Sequence, residues 1–115
     1  MARNLEVGVI VKKNSMDIEK LKQEVVKRLK PLGPEKIILF GSYAYGKPDI
    51  DSDVDLFLIK DEDIEAEALM KLRDLMKKEK IGFDILCDSR NNVENSKDYF
   101  YKIDIMKNGK VLYAK

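Results

Sequence analysis

The stretch Lys36-Ile37-Ile38-Leu39-Phe40-Gly41-Ser42-Tyr43-Ala44-Tyr45-Gly46, followed by Asp51-Ser52-Asp53-Val54-Asp55-Leu56-Phe57-Leu58-Ile59, decides how this chain is read. Two short apolar runs rich in β-branched residues, 36–40 and 53–59, have the composition of strands buried in a sheet. The first stops abruptly at Gly41-Ser42, and the second starts with two acids. Side chains alternate faces along a strand, so Asp53 and Asp55 share one face with Cα atoms about 6.6 Å apart. Paired carboxylates repel, and a divalent cation with oxygen ligands is one way to neutralise them.

Outward from this centre, strand and helix patterns alternate. Upstream, Ser15 is a candidate cap, and Ile18, Leu21, Val25 and Leu29 recur at helical spacing until Pro31. Leu5 to Val11 read as an additional edge strand. Downstream, Asp61 or Asp63 can cap a second helix marked by Ile64, Leu69, Leu72, Leu75 and Met76, which ends near Lys80 before Gly82. Phe83 to Cys87 form a third core strand, and Asp88 to Ser96 a polar loop. Tyr99, Phe100, Ile103 and Met106 are expected to be the buried face of a last helix stopped by Asn108-Gly109, and Lys110 to Ala114 a short closing strand. The order implies a single α/β (α+β) domain over residues 1–115 with a small mixed sheet flanked by helices.

Composition bounds the chemistry. The chain has 115 residues, 44% hydrophobic and 37% charged, which fits one folded domain rather than a disordered or membrane-spanning protein. Its 22 basic and 21 acidic residues leave a net charge of +1, so no general attraction to nucleic acid or to an anionic membrane is expected. With no His, histidine triads and imidazole zinc sites are excluded. One cysteine, Cys87, cannot make an internal disulfide and is expected to be a buried structural thiol. No apolar run approaches the roughly 20 residues of a spanning helix, and the first residues lack a signal-peptide core, so a cytoplasmic location is expected.

Asp84 stands in an apolar strand, where an unpaired charge would cost several kcal/mol, so it too calls for a cation. If its strand neighbours that of Asp53 and Asp55, the three carboxylates converge and can hold the two ions of an in-line displacement at phosphorus. Gly41 allows close approach of a phosphate to the backbone, and the Ser42 hydroxyl adds a donor. A Walker loop is excluded, because its Gly-Lys-Ser/Thr ending is missing.

Gly41-Ser42, ten intervening residues and Asp53-x-Asp55 resemble the signature of the DNA polymerase β-type nucleotidyltransferase superfamily. The fuller pattern Gly41-Ser42-Tyr43-Ala44-Tyr45-Gly46 with Asp51-Ser52-Asp53-Val54-Asp55-Leu56 is similar to its minimal nucleotidyltransferases. The resemblance spans about residues 15–88 and implies the polymerase β-like fold. It implies that Gly41 and Ser42 hold the phosphates of ATP, that Asp53 and Asp55 bind Mg²⁺, and that Asp84 completes the metal site and helps activate a hydroxyl acceptor. It further implies transfer of AMP, with a small all-helical HEPN-type protein as partner in a toxin–antitoxin pair. The competing class is a catalytically silent antitoxin that acts by covering its partner. A homodimer is the other assembly expected of a small sheet domain that must cover both sheet faces.

Blander readings stand beside these. Asp49 and Asp51 are expected to be solvated turn residues, and Lys47 a surface lysine. A calcium loop fails because Leu56 stands where glycine is required. A glycosyltransferase Asp-x-Asp site needs a larger nucleotide-sugar domain. Tyr43 and Tyr45 either stack on a base or pack on the sheet.

Overall fold

The computed structural model describes residues 17–46, Pro48 and 52–115. The strand read at Leu5 to Val11, the cap at Ser15, and Lys47, Asp49 and Asp51 lie outside the described residues. Helix α1 runs Ile18–Leu29 and is capped by Asp17, whose side chain accepts from the Lys20 N–H at 2.8 Å. Its buried residues Leu21, Val25 and Leu29 sit one helical turn apart. Pro31 falls in a single 3₁₀ turn, Lys30–Leu32, and Gly33, at φ 76°, reverses the chain into β1, Lys36–Phe40.

After the turn at Gly41 come β2, Val54–Ile59, helix α2, Glu65–Glu79, and β3, Phe83–Asp88. As expected, Asp63 serves the start of α2, accepting from the Glu65 N–H at 3.0 Å. Ala68, Leu72 and Leu75 form its buried face, whereas Leu69, expected inside, is exposed. β2 pairs antiparallel with β1 and parallel with β3; β4, Lys110–Ala114, pairs antiparallel with β1 across a bulge between Ile37 and Ile38. Among the described residues the sheet is four-stranded and mixed, in the order β3-β2-β1-β4.

The two sheet faces bury different sets. Ile37, Leu39, Val54, Leu56, Leu58, Phe83 and Ile85 pack under α1 and α2. Arg28 clasps the two helices, bonding Glu24 at 3.2 Å and Asp74 at 2.7 Å. On the opposite face Ile38, Phe40, Phe57 and Ile59 pack under Val93 and Ile105. Among the described residues no helix is long and apolar enough to cross a membrane.

Two expectations need correction on that second face. The polar stretch 88–96 is not all loop: α3, Arg90–Asn95, forms there, because Ser89 caps it by accepting from the Asn92 N–H at 3.1 Å and Val93 anchors it. The last helix, Phe100–Lys107, is wound as a π-helix, with the Asn108 N–H donating to the Ile103 carbonyl five residues back at 2.8 Å. That wider winding shifts the inward face. Ile105 is buried, and Phe100 and Tyr101 pack on the core, while Tyr99 is 79% exposed, Met106 43% and Ile103 36%.

Candidate active site

The acids of the sequence signature meet at one end of the second sheet face. Val54 points into the helical core, so Asp53 and Asp55 on either side of it belong to the other face. Asp84 is the register partner of Asp55 across the parallel β2/β3 pair, and Phe40 is its partner across β1. The adjacency on which convergence of the three carboxylates depended is therefore present, and Gly41 follows directly on Asp55's other neighbour.

Burial is distributed differently from the sequence expectation. Asp84, read as a charge enclosed in an apolar strand, is exposed: it is the second residue of β3, at an end of the sheet that no described helix covers. Asp55 is the half-buried member. Burial, followed by the charges of Asp84 and Asp53, pushes its carboxyl above the usual carboxylate value.

Two glycines fit this arrangement. Gly41 has φ 74°, and a Cβ there would run into the Asp55 carboxylate at Oδ2. Only glycine lets the turn take this conformation and lie against the acid. The turn is a single 3₁₀ turn, Gly41–Tyr43, in which the Gly41 carbonyl accepts from the N–H groups of Ala44 at 2.9 Å and Tyr45 at 3.2 Å. Ser42 is half-buried within it. Gly82, which the sequence suggested only as a helix stop, is the second: a Cβ there would strike the Asp53 carboxylate at Oδ1, and its carbonyl accepts from the Val54 N–H at 2.9 Å. A glycine directly before the third strand was the available signal for it.

The tyrosines after the turn divide. Tyr43 packs against the helical core, and Tyr45 is 52% exposed. Cys87 is half-buried rather than enclosed, with its thiol 3.5 Å from the Glu62 carbonyl; burial pushes the thiol's pKa up, so it is not an activated thiolate.

By donor chemistry the three carboxylates suit a hard divalent cation. Among the described residues no three acidic or thiol side chains stand close enough to ligate one ion, so a cation held by Asp53, Asp55 and Asp84 would have to draw them together.

The sheet order, with Asp53 just before β2, Asp55 on it, Asp84 on its parallel neighbour and a glycine turn against them, agrees with the resemblance to the polymerase β-like nucleotidyltransferases read from the sequence. Residues 18–112 match the family described as "Nucleotidyltransferase domain", and the chain belongs to that family. Among solved structures, it is similar to a toxin–antitoxin crystallised with AMP-PNP, at TM-score 0.59 and 21% identity over 82% of this chain and 73% of that one. A mutant of the toxin–antitoxin MntA–HpeT aligns over the same shares at TM-score 0.59 and 18% identity, and a second mutant at TM-score 0.56. Comparison with curated proteins finds no match.

Proposed function

We propose that this nucleotidyltransferase moves AMP from ATP onto a hydroxyl of a partner protein, with Mg²⁺ held by Asp53, Asp55 and Asp84, as the antitoxin of a toxin–antitoxin pair. The observation that carries the reading is the register of Asp55: a half-buried carboxylate beside Asp84 on one strand and against Gly41 at the end of the other. Its raised proton affinity marks a position that a cation would relieve. Bound Mg²⁺ would supply charge neutralisation for the triphosphate and for the departing pyrophosphate.

The chain's own groups have separable tasks. Gly41 and Ser42 receive the phosphates, the glycine by close backbone approach and the serine by its hydroxyl. Asp53 and Asp55 offset the positive charge that accompanies the triphosphate. Asp84, exposed on the outer of the two strands, accepts the proton of the incoming hydroxyl while that oxygen bonds to the α-phosphorus and pyrophosphate leaves. The solved toxin–antitoxin structures, one of them with AMP-PNP, support both a nucleotide and a protein partner.

The test is incubation of the chain with α-labelled ATP, Mg²⁺ and the product of the adjacent gene. Label is expected on the partner protein and to depend on Mg²⁺. Label that stays in ATP across a panel of nucleotides and partners would assign the chain to the silent antitoxin that acts by complex formation alone.

A further inference from the structure

The sheet ends at β4, beyond which no described strand pairs. An unpartnered edge exposes a row of backbone donors and acceptors to any extended segment. Beside it lies an open groove of about 1020 Å³ between α1 and β4, well away from the carboxylate site. Val26, Pro31, Val111 and Leu112 give it an apolar floor, and Val111 is 55% exposed although it lies in a strand.

The rim is cationic. Lys22, Lys27, Lys30 and Lys110 line it together with a single acid, Glu19. Lys22 pairs with Glu19 at 3.2 Å, and Lys30 lies 5.4 Å over the Tyr113 ring. Lys27 and Lys110 make no ion pair among the described residues. In a chain whose charges nearly cancel, this edge carries a local excess of positive charge.

Charge then selects the occupant. A second copy joined edge to edge would bring two lysine rims together. The chain's own Leu5–Val11, read from the sequence as an edge strand, brings a single acid, Glu6, flanked by Arg3, Lys12 and Lys13, and would leave most of the lysine rim unmatched. A nucleic acid would meet an aliphatic floor, with the one ring at this edge, Tyr113, covered by Lys30. We propose that the groove between α1 and β4 docks an extended, acidic segment of a partner protein, which adds to β4 as a further strand while its carboxylates meet the lysine rim. Main-chain bonds to the edge supply affinity and the rim supplies selectivity.

A fluorescent peptide of alternating Glu and Val, titrated against the full chain, tests this. It is expected to bind, to weaken roughly tenfold on the triple reversal Lys27→Glu, Lys30→Glu, Lys110→Glu, and to be insensitive to Lys77→Glu on α2. Amide exchange at residues 110–114 should slow when the peptide is bound, the signature of strand addition. A Lys-for-Glu version of the peptide should not bind. The proposal is overturned if the acidic peptide fails to bind, binds the triple variant equally well, or binds without slowing exchange in β4. Tighter binding of a thymidine oligonucleotide would assign the groove to nucleic acid instead, and a dimer that the peptide dissociates would assign it to a second copy.

Discussion

The two faces of the sheet are finished to different standards. Under α1 and α2 the first face is closed along its length, with Leu29, Ile37, Leu56, Leu58, Ala68 and Leu72 fully buried. Among the described residues the second face is covered over one part, by six-residue α3 and the π-helix, and its other end carries Asp55 and Asp84. One face maximises buried apolar area, and the other leaves charge and backbone within reach of a ligand. The comparison shows where stability and function separate in a domain with little of either to spare.

Deleting packing from the closed face should have the largest effect. Leu72→Ala removes a fully buried side chain of α2 and should cost about 2–5 kcal/mol in urea unfolding, while turnover per folded molecule stays unchanged. A comparable loss of turnover at full occupancy of the folded state would mean that the two faces are coupled. On the open end the pattern should reverse. Asp84→Asn should leave most Mg²⁺·ATP affinity intact and lower AMP transfer about 10²-fold, equivalent to roughly 2.7 kcal/mol. Asp53→Asn or Asp55→Asn should weaken both, and calorimetry with single-turnover transfer separates the cases.

A smaller effect sharpens the boundary between the two parts of the open face. The Tyr101 hydroxyl donates to Asp88 Oδ2 at 2.7 Å, which ties the π-helix to the end of β3. That bond holds the Asp88 carboxyl below its usual value and, first among the causes, pushes the Tyr101 phenol up to about 12. The neutral phenol is favoured in the folded state, so its contribution is complete below about pH 10 and disappears as pH rises from there to about 12. Asp88 contributes in the opposite sense: its share is present above the ordinary carboxylate value and disappears as pH falls through its lowered one. Tyr101→Phe should cost about 1–2 kcal/mol at neutral pH, and the difference between variant and wild-type melting curves should close at both ends.

The smallest expected effect has the opposite sign. Asp55 holds a carboxyl whose pKa is raised in the folded state, so its charge opposes folding above that raised value and the penalty is relieved as pH falls through it. Asp55→Asn should therefore raise the stability of the cation-free protein by roughly 0.5–1 kcal/mol, a modest figure because the group is partly solvated. A variant that melts no higher than the wild type would show that the three acids avoid one another before any cation arrives.

The parts legible from the sequence were those whose signal is local. β1, β2, β3 and the two long helices follow from apolar runs and 3.6-residue periods, and the Gly41-Ser42 and Asp53-x-Asp55 pattern led to the fold that the family match supports. The misses lie almost entirely on the second face. α3 has one apolar anchor, Val93, in the run Arg90-Asn91-Asn92-Val93-Glu94-Asn95, so periodicity could not mark it, and its Ser89 cap was the only cue. The π-helix defeats a period that assumes α winding, which is why Tyr99, Ile103 and Met106 were placed inside and Ile105 was overlooked. Exposure of Asp84 depends on how far neighbouring elements extend over the sheet, and Gly82's contact with Asp53 depends on strand register; neither is written in the residues beside them.

The parallel pairing of β2 with β3 has a kinetic consequence as well. Asp55 and Asp84 belong to one β2-α2-β3 unit, whose pairing needs no other strand. The repelling acids are thus brought side by side as early as the unit can zip, rather than in a late docking step. Mild acid or a divalent cation should then speed refolding in stopped-flow experiments more than it slows unfolding, and Asp55→Asn should reproduce that acceleration without either.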